Sequence, residues 1–156
     1  MKHRITDALI WVVGTELVGA ASAIVAGGGF SAYYASLVRP PLAPPGWLFP
    51  VAWAILYALM GLSAHLIHRS GSDGTRAALW LYAAQLLANF LWSPVFFGLK
   101  SLVGATVVAL VLLVLVIAMV VVFGRIVRRA AYLNIPYLLW TMYAAYLTVG
   151  VLVLNG

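Results

Sequence analysis

Five apolar runs of about twenty residues, separated by charge, glycine or proline, constrain this chain more than any other feature of it. A helix needs about 20 mostly apolar residues to cross roughly 30 Å of hydrocarbon. The runs extend approximately from Ala8 to Gly28, Trp47 to His68, Ala77 to Leu99, Ser101 to Gly124 and Ala130 to Leu154. Spanning strands would alternate in segments of about ten residues, whereas residues 107–122 are apolar on every face. Charge agrees with the helical reading, since only 8% of the 156 residues are charged where a soluble domain carries about 25%. The expected fold is an all-α integral membrane protein, one domain over residues 1–156, built as a five-helix bundle with a long, partly helical first loop at residues 29–46.

Lysine and arginine concentrate on cytoplasmic loops. Lys2, Arg4, Arg69, Arg76, Arg125, Arg128 and Arg129 fall on one side, against Arg39 and Lys100 on the other. That distribution puts the N-terminus in the cytoplasm and the C-terminus outside, in a multi-pass protein of the bacterial cell membrane. It also accounts for the net charge of +6 without nucleic acid, because the basic residues sit singly or in small groups between apolar runs. A cleaved secretory signal is the competing reading of the first run, with Ala21-Ser22-Ala23 as its cleavage site. Glu16 interrupts the apolar region such a signal needs, so a retained helix is expected. With no cysteine, thiolate catalysis, disulfides and Cys-ligated metals are excluded.

The first connection, Gly29 to Gly46, is unusually apolar. Phe30, Tyr33, Tyr34, Leu37 and Val38 recur at i, i+3, i+4, i+7 and i+8, the stripe of a short amphipathic helix. Pro40, Pro41, Pro44 and Pro45 then restrict the backbone, so residues 39–45 read as a stiff extended arm. Two dispositions fit: an interfacial helix anchored among headgroups, or a lid folded over the outer mouth of the bundle. The link between the third and fourth runs is essentially Lys100, which makes those helices antiparallel neighbours.

Polar side chains inside a membrane are costly and tend to face the interior or a cavity. Gln85, Asn89, Trp92 and Phe96 share one helical face; Phe49, Trp53 and Tyr57 form a second stripe, and Trp140, Ala144 and Leu147 a third. Any single stripe is explained by packing. At about 1.5 Å per residue, however, Trp53 lies roughly 10 Å below the outer end of its helix, Asn89 and Ala144 roughly 15 Å and Trp140 roughly 20 Å, so the three stripes converge in the outer half. A pocket of rings with one or two amides suits a flat, largely apolar ligand.

Other residues point less clearly. Glu16 is the lone acid within a span and supports either a proton-coupled role in a small exporter or a structural hydrogen bond to a neighbouring helix. The small-residue stripe Thr15, Gly19, Ala23 and Gly27 beside it favours close packing. Ala84 and Ala88, at the same spacing, could form a dimer contact. His3, His65 and His68 map to the inner side, so neither a metal centre nor an axial haem ligand is expected in the pocket, and no cofactor is required. There is no nucleophile with a base and orienter and no carboxylate pair, so conventional hydrolase or transferase chemistry is not expected. A third possibility is a membrane assembly or sensory partner whose rings only pack helices.

Three stretches carry a resemblance: Arg39-Pro40-Pro41-Leu42-Ala43-Pro44-Pro45 through Trp53, then residues 85–98 (QLLANFLWSPVFFG), and Pro136-Tyr137-Leu138-Leu139-Trp140. With five helices and this length, the chain resembles the TspO/MBR family of translocator proteins, tryptophan-rich sensory proteins and peripheral-type benzodiazepine receptors. The resemblance implies a dimeric bundle whose outer pocket binds porphyrins, protoporphyrin IX among them, and benzodiazepine-type ligands beneath the first loop. By position, Tyr34, Pro44, Phe49, Trp53, Asn89, Trp92, Trp140, Ala144 and Leu147 match the family's ligand-contacting places. It also implies tetrapyrrole and stress signalling, and in some bacterial members light-dependent porphyrin breakdown associated with the tryptophans matching Trp53 and Trp140. Two departures stand out: Leu42 replaces the usual tryptophan before the second Pro-Pro pair, and Leu147 is followed by Thr148, Val149 and Gly150, so cholesterol binding is not carried over.

Overall fold

The computed structural model describes the backbone of residues 2–27 and 30–156 and the side chains of residues 5–27 and 32–156. Gly28, Gly29 and the side chains of Lys2, His3, Arg4 and Phe30, all used in the sequence reading, lie outside the described residues. Five helices are long and apolar enough to cross a membrane: Ile5–Ala26, Leu48–Ser70, Thr75–Gly98, Leu102–Ile126 and Arg128–Asn155. Among the described residues the elements run α1 (Lys2–Ala26), α2 (Phe30–Ser36), α3 (Leu48–Ser70), α4 (Thr75–Ser93, continued by a π-helical turn at Pro94–Gly98), α5 (Leu102–Ile126), α6 (Arg128–Leu133) and α7 (Ile135–Asn155). The first helix ends at Ala26, not Gly28, where Gly27 turns left-handed at φ 79°; the second and fourth run two residues beyond their expected ends at His68 and Gly124.

Proline explains two further differences. The fifth run, expected as one helix over residues 130–154, is divided at Asn134 ahead of Pro136. Pro136 has no N–H to continue the helical ladder, so the turn before it must end or adjust. Asn134 is fully buried at the break, its side-chain amide donating to the Ala130 carbonyl at 3.0 Å and to Ser63 Oγ of α3. Pro94 acts differently. It cannot donate to the Phe90 carbonyl four residues back, and Ser22 Oγ of α1 donates to that carbonyl instead, at 2.7 Å. The helix then widens, with Leu99 N–H donating to the Pro94 carbonyl at 2.9 Å. The extra residue per turn lets Phe96 and Phe97 both point inward, with only 2% and 6% exposed.

Beyond that turn the chain reverses tightly at Lys100, which takes φ 52°, and Ser101 caps α5 by accepting from Gly104 N–H at 3.1 Å. The closest helix approach joins α1 and α3. A Cβ on Gly61 would come within 2.6 Å of Val12 Cα, so these backbones touch only because position 61 is glycine.

The apolar first connection packs against the end of the bundle at which α4 and α7 finish. Tyr33 meets Phe96 and Phe97 edge-on at 5.9 and 6.4 Å, and Tyr34 meets Phe49 at 5.6 Å. Val38, expected on the same buried stripe, is exposed; α2 ends at Ser36, so the helical period no longer applies there. The arm is not straight either. Ala43 N–H donates to the Pro40 carbonyl at 3.3 Å and Leu42 takes φ 67°, a reverse turn in place of an extended strand. It is held to α7 by Tyr143 Oη donating to the Leu42 carbonyl, Tyr146 Oη to the Pro41 carbonyl at 2.9 Å, and the Asn155 amide bracketing Val38 at 2.8 and 2.9 Å. The Pro40 ring rests on Gly150, where a Cβ would approach it to 2.7 Å.

Candidate functional site

The bundle's centre is crossed by a chain of buried polar groups. Tyr57 Oη of α3 donates to Asn89 Oδ1 of α4 at 2.7 Å, Asn89 Nδ2 donates to Tyr137 Oη of α7 at 2.8 Å, and Tyr137 Oη donates to Gln85 Oε1 at 2.7 Å. Each hydroxyl proton has one acceptor, and Tyr137 and Gln85 are wholly buried. Hydrogen bonds between helices are the affordable way to keep such groups in hydrocarbon. Gln85 therefore lies in the solid interior, and of the two amides expected at the pocket only Asn89 borders it. Asn89 retains one amide hydrogen and one acceptor lone pair beyond these bonds.

Above this polar floor is a cavity of about 840 Å³. Its ring wall comes from α3 and α7: Trp53 and Trp140 stand edge-to-face at 6.4 Å and 84°, and Phe49 meets Trp140 at 6.1 Å and 76°. Trp53 also stacks on Tyr57 at 5.3 Å, so the floor fixes the ring above it. The indole N–H groups of Trp92 and Trp140 have no hydrogen-bond partner among the described residues. Arg39 closes the outer mouth, its guanidinium 5.3 Å from the Tyr34 ring centre.

Ser93 and Phe97 at the end of α4 and Ala109 and Leu112 of α5 also line it, and α1 adds Ser22 and, as a stripe, Glu16, Gly19, Ala20, Ala23, Ala26 and Gly27. These follow at i, i+3, i+4, i+7, i+10 and i+11, one helical face. Gly19 is in close contact with the Tyr57 ring, which a Cβ there would overlap. Ala20 and Ala23 on α1 and Ala54 on α3 line the cavity and are exposed. The stripe of small residues thus packs closely at Thr15 and Gly19 and borders the hollow at Ala23 and Gly27. Thr15 shares a hydrogen bond with Tyr82 of α4. Glu16 is half-buried on the cavity side and makes no side-chain hydrogen bond among the described residues.

Of the nine positions singled out in the sequence, the cavity brings together Tyr34, Phe49, Trp53, Asn89, Trp92, Trp140 and Ala144. Pro44 and Leu147 are not on its wall. Pro44 is buried in the roof, its carbonyl accepting from Tyr34 Oη at 3.5 Å. Leu147 borders a separate hollow of about 30 Å³ beside Phe96 and Val151. On α1 only Glu16 is singled out by its sequence; the rest of that wall is not, because alanine and glycine carry no chemistry of their own and only their spacing signals it. His65 and His68 lie near the C-terminal end of α3, where His68 meets Trp11 at 5.4 Å, and neither borders the cavity. Ala88, paired with Ala84 as a dimer contact, is buried in the core, and only Ala84 faces outward.

The arrangement can sequester a flat apolar molecule, stack it on an indole and offer it polar contacts at the floor and mouth. Comparison with known proteins gives a consistent picture. The model of the TspO/MBR family matches residues 10–154. The chain is 37% identical over 148 residues to the protein CrtK of Rhodobacter capsulatus, covering 94% of this chain and 91% of that one. It is 40% identical over 123 residues to a tryptophan-rich sensory protein of Cereibacter sphaeroides, covering 79% and 77%. It is 36% identical over 126 residues to the translocator protein of Ovis aries, covering 79% and 74%.

Proposed function

Because the chain belongs to the TspO/MBR family, a family of membrane proteins, we propose that its cavity binds a flat hydrophobic small molecule of the porphyrin class, protoporphyrin IX being the first to test. The observation that carries this reading is the perpendicular pair Trp53 and Trp140 beneath a roof bonded to α7. A planar guest lying on one indole meets the edge of the other, the two ring geometries that π-systems favour. A volume of about 840 Å³ falls within the roughly 300–1,000 Å³ of small-molecule sites. Arg39 at the mouth suits the guest's carboxylates, as a charge-assisted contact near the surface.

The test is titration of the purified protein in detergent with protoporphyrin IX, read by tryptophan fluorescence quenching, for wild type, Trp53→Phe, Trp140→Phe and Asn89→Ala. Saturable binding to wild type and a Kd raised about threefold or more in both tryptophan variants is the expected result, from about 0.5–1.5 kcal/mol per aromatic pair. Four identical titrations would place the ligand elsewhere. Two further proposals accompany this one. The exposed basic ends at Arg69, Arg76, Arg125, Arg128 and Arg129 support a cytoplasmic N-terminus. The outward face of α4, with Trp80, Ala83, Ala84 and Leu87 all exposed, supports a homodimer contact in which the small alanines allow close approach.

A further inference from the structure

Every cavity-facing position on α1 except one is small. Gly19, Ala20, Ala23, Ala26 and Gly27 present at most a methyl group to the hollow, Ser22 carries only a short hydroxyl spent on the Phe90 carbonyl, and Glu16 is the single α1 side chain on the wall with reach. It sits ten residues before the end of α1, about 15 Å inward, level with the polar floor.

The groups around it are already committed. Tyr57 Oη, close by on α3, gives its one proton to Asn89. The Thr15 hydroxyl is bonded to the Trp11 carbonyl and Tyr82, and Ser22 donates to Phe90. Among the described residues Arg39 is the one basic side chain on the cavity wall, exposed and set over the Tyr34 ring of the first connection. A carboxyl in hydrocarbon with no donor is costly; the Glu16 side chain makes no hydrogen bond among the described residues, and the cavity's uncommitted N–H groups, on Asn89, Trp92 and Trp140, belong to other helices, so a donor on the occupant meets an unfilled acceptor.

We infer that Glu16 is the recognition group for a basic or N–H-bearing end of the cavity's ligand, an amine, amidine or pyrrolic N–H, while Arg39 receives an anionic end at the mouth. The inference rests on the proposed cavity function and deepens it: the favoured occupant is flat and apolar in its middle, donates a hydrogen bond at depth and accepts one near the surface. Glu16 acts by direct contact with the ligand. An N–H donor meeting a carboxylate forms one of the stronger hydrogen bonds available in such a site.

The experiment compares two flat tricyclic probes of matched outline, 9-aminoacridine with its basic N–H group and 9-methylanthracene with none, against wild type and Glu16→Gln in detergent. Protoporphyrin IX serves as a reference ligand on wild type. The expected result is a Kd for 9-aminoacridine raised at least tenfold by Glu16→Gln, with the Kd for 9-methylanthracene unchanged within twofold. The hydrocarbon thus reports that the variant is folded with its cavity intact. An equal loss for both probes makes Glu16 a packing residue and overturns the inference, as does an unchanged Kd for 9-aminoacridine. Wild type that binds protoporphyrin IX but neither tricycle overturns the inference while leaving the cavity function standing. Wild type that binds none of the three removes both.

Discussion

Replacing Tyr137 by phenylalanine deletes one oxygen from the middle of the buried polar chain and nothing else. That oxygen accepts from Asn89 Nδ2 at 2.8 Å and donates to Gln85 Oε1 at 2.7 Å, in a residue with no exposed surface. Two hydrogen bonds between membrane helices at about 0.6 kcal/mol each set the smallest expected loss near 1 kcal/mol. The amides left behind raise it, because a buried polar group without a partner costs about 1–3 kcal/mol. Gln85 is wholly buried and retains only Met60 Sδ, 4.0 Å from its Nε2. The expected destabilisation is therefore about 1–3 kcal/mol. At about 2–4 °C per kcal/mol for a chain of this size, the Tm in detergent falls by about 2–12 °C. Gln85→Leu supplies the second edge of a double-mutant cycle. Residues sharing one bond are coupled, so the double variant should cost less than the two singles together by at least about 0.5 kcal/mol. Tyr137→Phe melting with wild type, or strict additivity in the cycle, refutes the reasoning.

Three other outcomes are expected. Gly61→Ala drives a methyl group into the α1 backbone and should cost about 1–3 kcal/mol, whereas Gly14→Ala, with nothing within 4 Å, should be neutral or slightly stabilising; thermal melts of the pair decide it. Tyr143→Phe combined with Tyr146→Phe releases the roof from α7 and should raise the dissociation rate of bound protoporphyrin IX at least threefold in stopped-flow displacement, with a Tm change of under about 4 °C, because both side chains lie in partly exposed positions. In a chain with no native cysteine, Ser72→Cys should be shielded from an impermeant maleimide in intact cells while Ser36→Cys is labelled, and Ala84→Cys should cross-link two copies in membranes; labelling at Ser72 or a monomeric Ala84→Cys overturns the orientation or the dimer respectively.

The spans were legible because hydrocarbon thickness acts on composition alone, so five runs became five spanning helices with ends shifted by a few residues. What sequence periodicity did not disclose was the consequence of missing N–H groups. Pro94 and Pro136 were visible as residues, but whether a helix breaks, as at Asn134, or widens, as at Pro94–Gly98, depends on which side chain reaches the freed carbonyl from another helix. The ring stripes converged as their depths required, because registers of straight helices add simply along the membrane normal. Gln85 and Asn89 share a helical face and both bond to Tyr137, some fifty residues away in sequence, yet only Asn89, one turn further along the helix, borders the hollow. Likewise the α1 stripe is homogeneous in composition but divides at Gly19, where α3 brings Tyr57 against it.

A hollow in a membrane bundle needs a physical reason to stay open. Dispersion favours closing it, since every unfilled surface forfeits contacts, and helices in lipid are free to shift towards one another. Here three groups of hydrogen bonds between elements lie around the cavity's edge. Tyr57, Asn89, Tyr137 and Gln85 tie α3, α4 and α7 beneath it. Ser22 and Thr15 tie α1 to α4 along its side, and Tyr143, Tyr146 and Asn155 tie the arm to α7 above it. Closing the hollow would break bonds that have no water to replace them, so the polar residues hold the frame while the aromatic ones face the guest. On that division of labour, substitutions in the floor at Tyr57, Tyr137 and Gln85 should act first on stability and those at Trp53, Trp140 and Glu16 first on affinity; a Gln85 or Tyr137 variant that weakens binding without lowering the Tm would show that the two roles are not separate.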